Sequence, residues 1–392
     1  MVNLRYLDIT DCDKLTHMPL GIGCLISLEI LTRFVVRQEG SKASSCSWYK
    51  KKQAKSGGGL SELKELSNLG GSLLIGDLGH GEDDMVECKA TNMKHKEHLQ
   101  NLRLRWKDQE WDDGETECYD EMSLEGLQPH TNLKALELRN YMGVRILSWV
   151  SSITNLVHFE LYENRRLQHL PRLNQLPFLK SISLQLMYAL KYIWIDEESV
   201  SNVLGGSSFS SSSKTPFFPS LSSLYIRGCP NLKGWSRWRN SDNDDDDDDD
   251  DNEPHYLLLP SFPPSLSTLR IWNCPNLTSM PLFPYLKEVL SLSGCSWKVL
   301  EQTMKMKIGA ATTSTYFPLS QLHELRLERI NDFESLPKEG LRNLFSLWKL
   351  YIEGCDGLVS LPWMGILTSL QTLEIVGCHN LTSLPQRDAR GK

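Results

Sequence analysis

The 392-residue sequence predicts an α/β solenoid, and three observations lead to that prediction. The segment 347–362 recurs as 370–385, so the pattern LxxLxLxxC returns after 23 residues. The same phase extends backward through the chain, and its apolar residues alternate with polar ones as in a half-buried strand. This period and pattern are typical of leucine-rich repeats. Such repeats stack into a horseshoe with a parallel β-sheet on the concave face and irregular loops and short helices on the convex face.

The apolar framework can be followed through nine further units. In chain order, the framework positions are Leu4, Leu7, Ile9 and Cys12; Leu99, Leu102 and Leu104; Leu133, Leu136 and Leu138; Leu156, Phe159 and Leu161; Leu179, Ile182 and Leu184; Leu221, Leu224, Ile226 and Cys229; Leu266, Leu269, Ile271 and Cys274; Leu286, Leu290, Leu292 and Cys295; and Leu322, Leu325, Leu327 and Ile330, followed by the two units at 347–362 and 370–385. The unit at Leu286 has one additional residue, which predicts a local bulge.

One repeat alone buries too little apolar surface to offset its ordering entropy, so neighbouring units must stack. A core that grows lengthwise has no size limit, and we therefore expect one leucine-rich-repeat domain over residues 1–392. Replacing Leu350 or Leu373 with Ala is expected to cost about 2–5 kcal/mol. The chain enters the pattern at Leu4 and leaves it at Pro385 without an evident cap, so we expect a fragment of a longer protein.

Several stretches interrupt the repeats. Three of them are too polar to repay their ordering entropy and are predicted to be solvated loops, at about 38–59, 205–214 and 236–256. Two others, Leu60–Leu69 and Glu87–Leu99, are predicted to be helices on the convex side.

The net charge of −7 arises from one acidic run. Asp244–Asp251 carries eight negative charges, and without them the balance would be +1. Such runs are usually self-repelling loops, and this one lacks the glycine and the spaced ligands of a calcium loop. The basic stretch Lys50–Lys55 is too short to indicate nucleic-acid binding, so no nucleic-acid partner is expected.

Six of the ten cysteines occupy the same place in the repeat, where a small thiol can fill space inside the solenoid; they are Cys12, Cys229, Cys274, Cys295, Cys355 and Cys378. The other four show no C-x-x-C spacing. The sequence also has no apolar stretch of about 18 residues and no secretory leader, so no membrane span and a cytoplasmic location are expected.

Two glycosylation sequons keep an alternative open, because they would matter in a secreted or decoy protein-binding module or inhibitor. They begin at Asn276 and Asn380, and both fall inside the recurring phrase Asn-Leu-Thr-Ser. The repeat framework explains that phrase without glycosylation.

Sequence motifs for catalysis are lacking. The phosphate-binding pattern GxxxxGK[ST] and the G-x-S-x-G elbow do not occur. Cys88, His95 and His98 form an incomplete metal set with no evident fourth ligand. No catalytic residue, cofactor-binding residue or metal ligand is therefore predicted.

The polar positions of the strands point to a protein-binding surface. They carry Arg, Tyr and Trp in several units, and these types dominate protein interface hot spots. An ordinary strand surface is the alternative, since aromatic residues favour strands in any case. The predicted partner-binding residues are Arg105, Arg139, Tyr162, Tyr225, Arg227, Arg270, Trp272 and Tyr351.

Four phrases go beyond the generic repeat: CPNLKGW at Cys229–Trp235, LQPHTNLK at Leu127–Lys134, KEHLQNLRLRW at Lys96–Trp106 and QHLPRLNQLP at Gln168–Pro177. With them, nearly the whole chain resembles the C-terminal repeat region of plant intracellular disease-resistance proteins of the coiled-coil, nucleotide-binding, leucine-rich-repeat class. The resemblance implies that the repeats recognise a pathogen effector or a guarded host protein, and that they restrain an upstream nucleotide-binding module. ADP or ATP would belong to that module, which this sequence lacks, so no residue here is assigned to nucleotide binding.

Overall fold

The computed structural model describes residues 3–36, 58–108, 119–194, 217–236, 260–305, 317–361 and 364–384. The insertions predicted at about 38–59, 205–214 and 236–256 lie almost entirely outside these described residues. The chain divides into two compact units, Met1–Leu167 and Gln168–Lys392. A single domain over the whole chain stays a prediction.

The first unit contains parallel strands joined by short helical segments. Strands β1 (Tyr6–Leu7) and β2 (Ile30–Leu31) form a separate pair. The main strands pair in chain order and are β3 (Arg33–Val35), β4 (Gly71–Leu78), β5 (Leu99–Trp106), β6 (Ala135–Arg139) and β7 (His158–Tyr162). The connections contain α1 (Glu82–Lys89), α2 (Asp120–Gly126) and 3-10 turns at Ile22–Cys24, Leu60–Glu65, Met93–His95 and Ser148–Ser152.

The second unit repeats this arrangement. Its main strands also pair in parallel, in the order β8 (Ser181–Gln185), β10 (Ser223–Arg227), β12 (Thr268–Cys274), β13 (Val289–Cys295), β14 (Glu324–Glu328), β15 (Lys349–Glu353) and β16 (Thr372–Val376). A second parallel pair consists of β9 (Tyr192–Trp194) and β11 (Gly234–Ser236). The connections contain α3 (Lys298–Met304), α4 (Lys338–Leu341) and a 3-10 turn at Met364–Ile366.

The strand register places equivalent framework residues side by side. Leu269 pairs with Leu290 and Ile271 with Leu292 across β12 and β13, and the same alignment continues through the second unit. From Leu99 to Cys355 the predicted framework residues are buried, most of them completely. Stacking therefore supplies the core that one repeat lacks, and the predicted α/β leucine-rich-repeat solenoid is confirmed. The assignment of concave and convex faces stays a prediction.

The first and last units depart from this pattern. Leu4, Leu7 and Ile9 are only half-buried, and Cys12 is exposed, so the prediction that Cys12 points into the core is wrong. Leu373 is 39% exposed, whereas its register partner Leu350 is fully buried. Among the described strands, β16 pairs with β15 alone, so its core face is covered from one side only. The expected cost of Leu373→Ala is correspondingly lower than predicted.

The helix predictions were partly wrong. Leu60–Leu69 contains a six-residue 3-10 turn. Of the helix predicted at Glu87–Leu99, only the first three residues lie in α1, which begins earlier; Met93–His95 form a 3-10 turn and Leu99 begins β5. Three acidic residues in the first turn of α1 favour this earlier start through the helix dipole. Asn92 then adopts a left-handed conformation with φ 56°, which the helix cannot continue through. No helix of the described residues has the length and apolar character needed to cross a bilayer.

The irregular unit at Leu286 accommodates its additional residue before the strand. The pairing of β12 with β13 runs from Thr268–Val289 to Cys274–Cys295 in one constant register. Glu288 and Val289 both donate their amides to the Ser267 carbonyl, at 2.9 and 3.1 Å, which is the bonding that opens a regular strand here. The predicted bulge is therefore absent from the strand pairing itself.

Candidate functional site

The predicted binding residues lie on the sheet face opposite the leucine core. In β10, Tyr225 and Arg227 alternate with the buried Leu224 and Ile226, because successive side chains of a strand point to opposite faces. The same alternation holds in the neighbouring main strands. We term the surface formed by these alternating polar positions the open face of each unit.

A groove crosses the open face of the second unit at β13. This strand carries Ser291 and Ser293, which the register places between larger residues on both sides. Arg270 and Trp272 stand on the β12 side, while Arg326 and Glu328 stand on the β14 side. The resulting space of about 470 Å³ is termed the serine groove, with the two serines as its floor and these four residues as its walls.

Trp272 is held in place by two contacts. Its indole Nε1 donates a hydrogen bond to Ser291 Oγ at 2.9 Å. The Tyr225 ring packs edge-on against it, with ring centroids 5.4 Å apart and an interplanar angle of 87°. An aromatic wall fixed in this way loses little conformational entropy when a partner binds.

The charges of the groove are only partly compensated. Arg326 Nε donates to Glu324 Oε1 at 2.6 Å, and its guanidinium lies 5.9 Å from the centre of the Tyr351 ring. Arg227, Arg270 and Arg329 also line the groove, and none of these three forms an ion pair with a carboxylate among the residues that the structure describes. The groove therefore presents an excess of positive charge.

Tyr351 is engaged by its own strand. Its hydroxyl donates to Glu353 Oε2 at 2.5 Å. This bond to the neighbouring carboxylate raises the pKa of the Tyr351 hydroxyl to about 12, because ionisation would break it. Tyr351 thus supports Arg326 from β15, one strand beyond the wall of the groove, and does not line the groove itself.

In the first unit, the structure brings the remaining three predicted residues together. Arg105, Arg139 and Tyr162 are register neighbours on β5, β6 and β7. The Arg139 guanidinium lies 5.1 Å from the centre of the Tyr162 ring and is bonded to Glu137. Burial, and then the charge of Glu137, raise the pKa of the half-buried Glu160 beside them.

The sequence prediction missed the groove itself. It selected Arg227, Arg270 and Trp272, but it did not include Ser291 and Ser293, whose small size creates the space. The signal was present, since Ser-Leu-Ser occupies strand positions where the neighbouring units carry Arg, Trp and Glu. A prediction that selects Arg, Tyr and Trp as hot-spot residues does not detect a groove formed by small residues between them.

Four of the six predicted framework thiols lie in the core, whereas Cys12 is exposed. Cys229, Cys274, Cys295 and Cys355 are buried as predicted, while Cys378 is half-buried. Burial raises the pKa of Cys355 to about 11 and moves that of Cys295 even further upward. Outside the framework, Cys88 is also buried, and its pKa is raised to about 12 for the same reason. Thiols in this state are poor nucleophiles and poor metal ligands.

Stacked parallel strands, a buried leucine framework and an open polar face define a leucine-rich-repeat protein. Residues 60–187 match the family described as R13L1/DRL21 LRRs. The chain is 33% identical over 224 residues to "Putative disease resistance protein RGA1" of Solanum bulbocastanum. The aligned region covers 56% of this chain and 19% of that protein. It is 30% identical over 203 residues to "Putative disease resistance protein At3g14460" of Arabidopsis thaliana, covering 45% and 14%.

These matches confirm the predicted likeness to the leucine-rich-repeat region of plant disease-resistance proteins. The chain spans about a fifth or less of the length of these relatives. Among solved structures, it is similar to the leucine-rich repeat domain of the type III effector XCV3220 (XopL), with a TM-score of 0.31 and 16% identity over 80% of this chain and 70% of that one. At that score, the likeness adds nothing to the fold defined by the strand pairing.

Proposed function

We propose that this chain is a non-catalytic recognition domain of a plant immune receptor, and that its open face binds a pathogen effector or a guarded host protein. The observation that carries the proposal is the serine groove of a leucine-rich-repeat sheet. There a fixed Trp272 stands beside Arg227 and Arg270, which form no ion pair within the part of the chain that the structure describes. Arg and Trp in such a setting have the composition of interface hot spots. The named disease-resistance relatives supply the biological setting.

A second role is proposed from the resemblance stated above. In a full-length protein, the repeats would restrain an upstream nucleotide-binding module, which would itself hold ADP or ATP, and the protein would act in the cytoplasm. To restrain that module, the repeats would contact it through a surface outside the partner-binding groove, or through the groove itself in competition with the partner. Variants of the open face are therefore expected to change recognition first.

The alternative of a secreted module rests on the two sequons, and the structure gives their asparagines another role. Asn276 donates from its side-chain amide to the Pro230 carbonyl at 2.8 Å, and Asn380 donates to the Asp356 carbonyl at 2.7 Å. Asn231 makes the same type of bond at 2.8 Å although Lys233 removes the sequon there. The bond between repeats accounts for the asparagine whether or not a sequon follows, which favours the intracellular proposal.

The proposal is tested by capture from infected plant tissue. Arg227→Glu and Trp272→Ala are expected to abolish retention of the partner while leaving thermal unfolding unchanged. Arg342→Glu and Trp348→Ala are matched controls, because both residues are exposed and lie outside the groove lining. Equal losses in the test and control variants, or retention by all four, would overturn the proposal.

A further inference from the structure

We propose that the serine groove binds a carboxylate side chain from an acidic segment of the partner protein. This inference rests on the proposed function and specifies the chemistry of the partner at that site. It follows from the size of the groove, from its charge and from the two glutamates in its lining.

The size of the groove suits an inserted side chain. Ser291 and Ser293 are only 2% and 7% exposed, so the floor is set by the buried strand itself. The walls are long side chains in direct register with the two serines. A space of about 470 Å³ between them admits one or two side chains of an extended segment. A flat strand surface would offer no such depth.

The charge of the groove selects an anion. Arg227, Arg270, Arg326 and Arg329 line it together with Glu324 and Glu328. Because Glu324 is already bonded to Arg326, three arginines remain against a single glutamate. A cationic guest would be repelled, and an apolar guest would cover charged groups without pairing them, which is costly. A guanidinium pairs with a carboxylate through two parallel hydrogen bonds.

The two glutamates favour a carboxylate over a phosphate. A phosphate group carries close to two negative charges and would be repelled more strongly by Glu328 and Glu324 than a single carboxylate would be. Asp or Glu of a partner protein therefore fits this lining better than a phosphorylated residue does.

The test measures binding of synthetic peptides to the whole chain by fluorescence anisotropy. The probe is a labelled peptide that alternates Glu with Gly. A peptide with Gln in place of Glu and a peptide with phosphoserine in place of Glu are compared with it. We expect the Glu peptide to bind at least about tenfold more tightly than either. We also expect its affinity to fall as salt is added.

Two variants address the groove directly. Ser293→Leu fills the floor without changing charge, and Arg270→Gln removes one charge without changing the floor. Each is expected to weaken Glu-peptide binding by at least about tenfold. Ser183→Leu, an open-face serine on β8 outside the groove lining, and Arg342→Gln are the matched controls. Unchanged binding in Ser293→Leu, or tighter binding of the phosphoserine peptide, would overturn the inference.

The same variants separate this inference from the proposed function. If Ser293→Leu and Arg270→Gln still retain the plant partner while Arg227→Glu and Trp272→Ala lose it, the open face is a recognition surface but the carboxylate inference is wrong. If none of these variants loses the partner, the proposed function itself is wrong. Circular dichroism and thermal unfolding of each variant show that a loss of binding is not a loss of folding.

Discussion

The Lys96 ammonium group donates to the Leu63 carbonyl at 2.6 Å although Lys96 is only 1% exposed. It donates a second hydrogen bond to the Leu66 carbonyl at 2.8 Å. Both carbonyls, at and just after the end of the 3-10 turn Leu60–Glu65, already accept a backbone amide, so the ammonium group uses their second lone pairs. The lysine thus ties one repeat to the next from inside the core, at a position where the sequence predicted a helix.

Lys96→Met is predicted to destabilise the protein more as the pH rises. Burial lowers the pKa of Lys96 from 10.5 to about 8. Between pH 8 and 10.5 the unfolded chain therefore binds more protons than the folded chain, so wild-type stability rises with pH in that window. Across this window, the free energy of unfolding of the wild type should rise by up to about 3 kcal/mol relative to that of Lys96→Met. Urea unfolding of both proteins at several pH values measures it, and a constant or shrinking difference would contradict it.

Leu350→Ala and Leu373→Ala are predicted to differ in their effects. The two residues occupy the same register position on β15 and β16, but Leu350 is fully buried and Leu373 is 39% exposed. Leu350→Ala should cost about 2–5 kcal/mol, and Leu373→Ala less than about 2 kcal/mol. Chemical denaturation measures both values. Equal costs would mean that the last repeat is covered in solution.

Asp120→Ala is predicted to destabilise the first unit by about 3–5 kcal/mol. Asp120 is fully buried, accepts a hydrogen bond from the Met142 amide at 2.8 Å and lies 3.0 Å from His80 Nδ1. Its loss removes the partner of both groups in a dry environment. Glu125→Ala, at an exposed position of α2, is the control and should change stability by less than about 0.5 kcal/mol. Similar values for the two variants would argue against this network.

Ionisation of Tyr351 is predicted to be delayed to about pH 12. Because its pKa is raised in the folded state, Tyr351 stabilises the fold below pH 10, and this contribution is lost as the pH rises from 10 towards 12. Glu353→Gln should lower this pKa by removing the charged acceptor. The difference between the ultraviolet titrations of the wild type and of Tyr351→Phe gives the pKa of Tyr351. An unchanged midpoint in Glu353→Gln would show that the bond is not the cause.

The repeat period predicted much of the fold, because each framework leucine must face the same core. It did not reveal β4, where Gly70 and Gly71 lengthen the spacing from Leu69 to Leu73. Gly71 adopts φ +67°, and the register shifts between Gly71 and Ser72, where Gln100 of β5 has no register partner on β4. The sequence pattern shows which residues can face a core, but not how a glycine redirects the chain between them.

The candidate site was predicted in composition but not in shape. Alternation along single strands was sufficient to select Arg270 and Trp272. The groove depends on which residues of β12, β13 and β14 lie in register, and irregular connections of different length separate these strands. Only the pairing shows that Ser291 lies between Arg270 and Arg326. Register across such connections is a tertiary property, and the local sequence does not determine it.

Cys12 and Cys24 are the exposed cysteines of the described chain, whereas the thiols of Cys88, Cys229, Cys274, Cys295 and Cys355 are enclosed by the repeats. Of the described cysteines, Cys12 and Cys24 should therefore react with a maleimide dye at neutral pH before the enclosed thiols do. The protein thus carries natural attachment points for a fluorophore, distant in sequence from Ser291 and Ser293, with which a captured guest can be followed without engineering the groove.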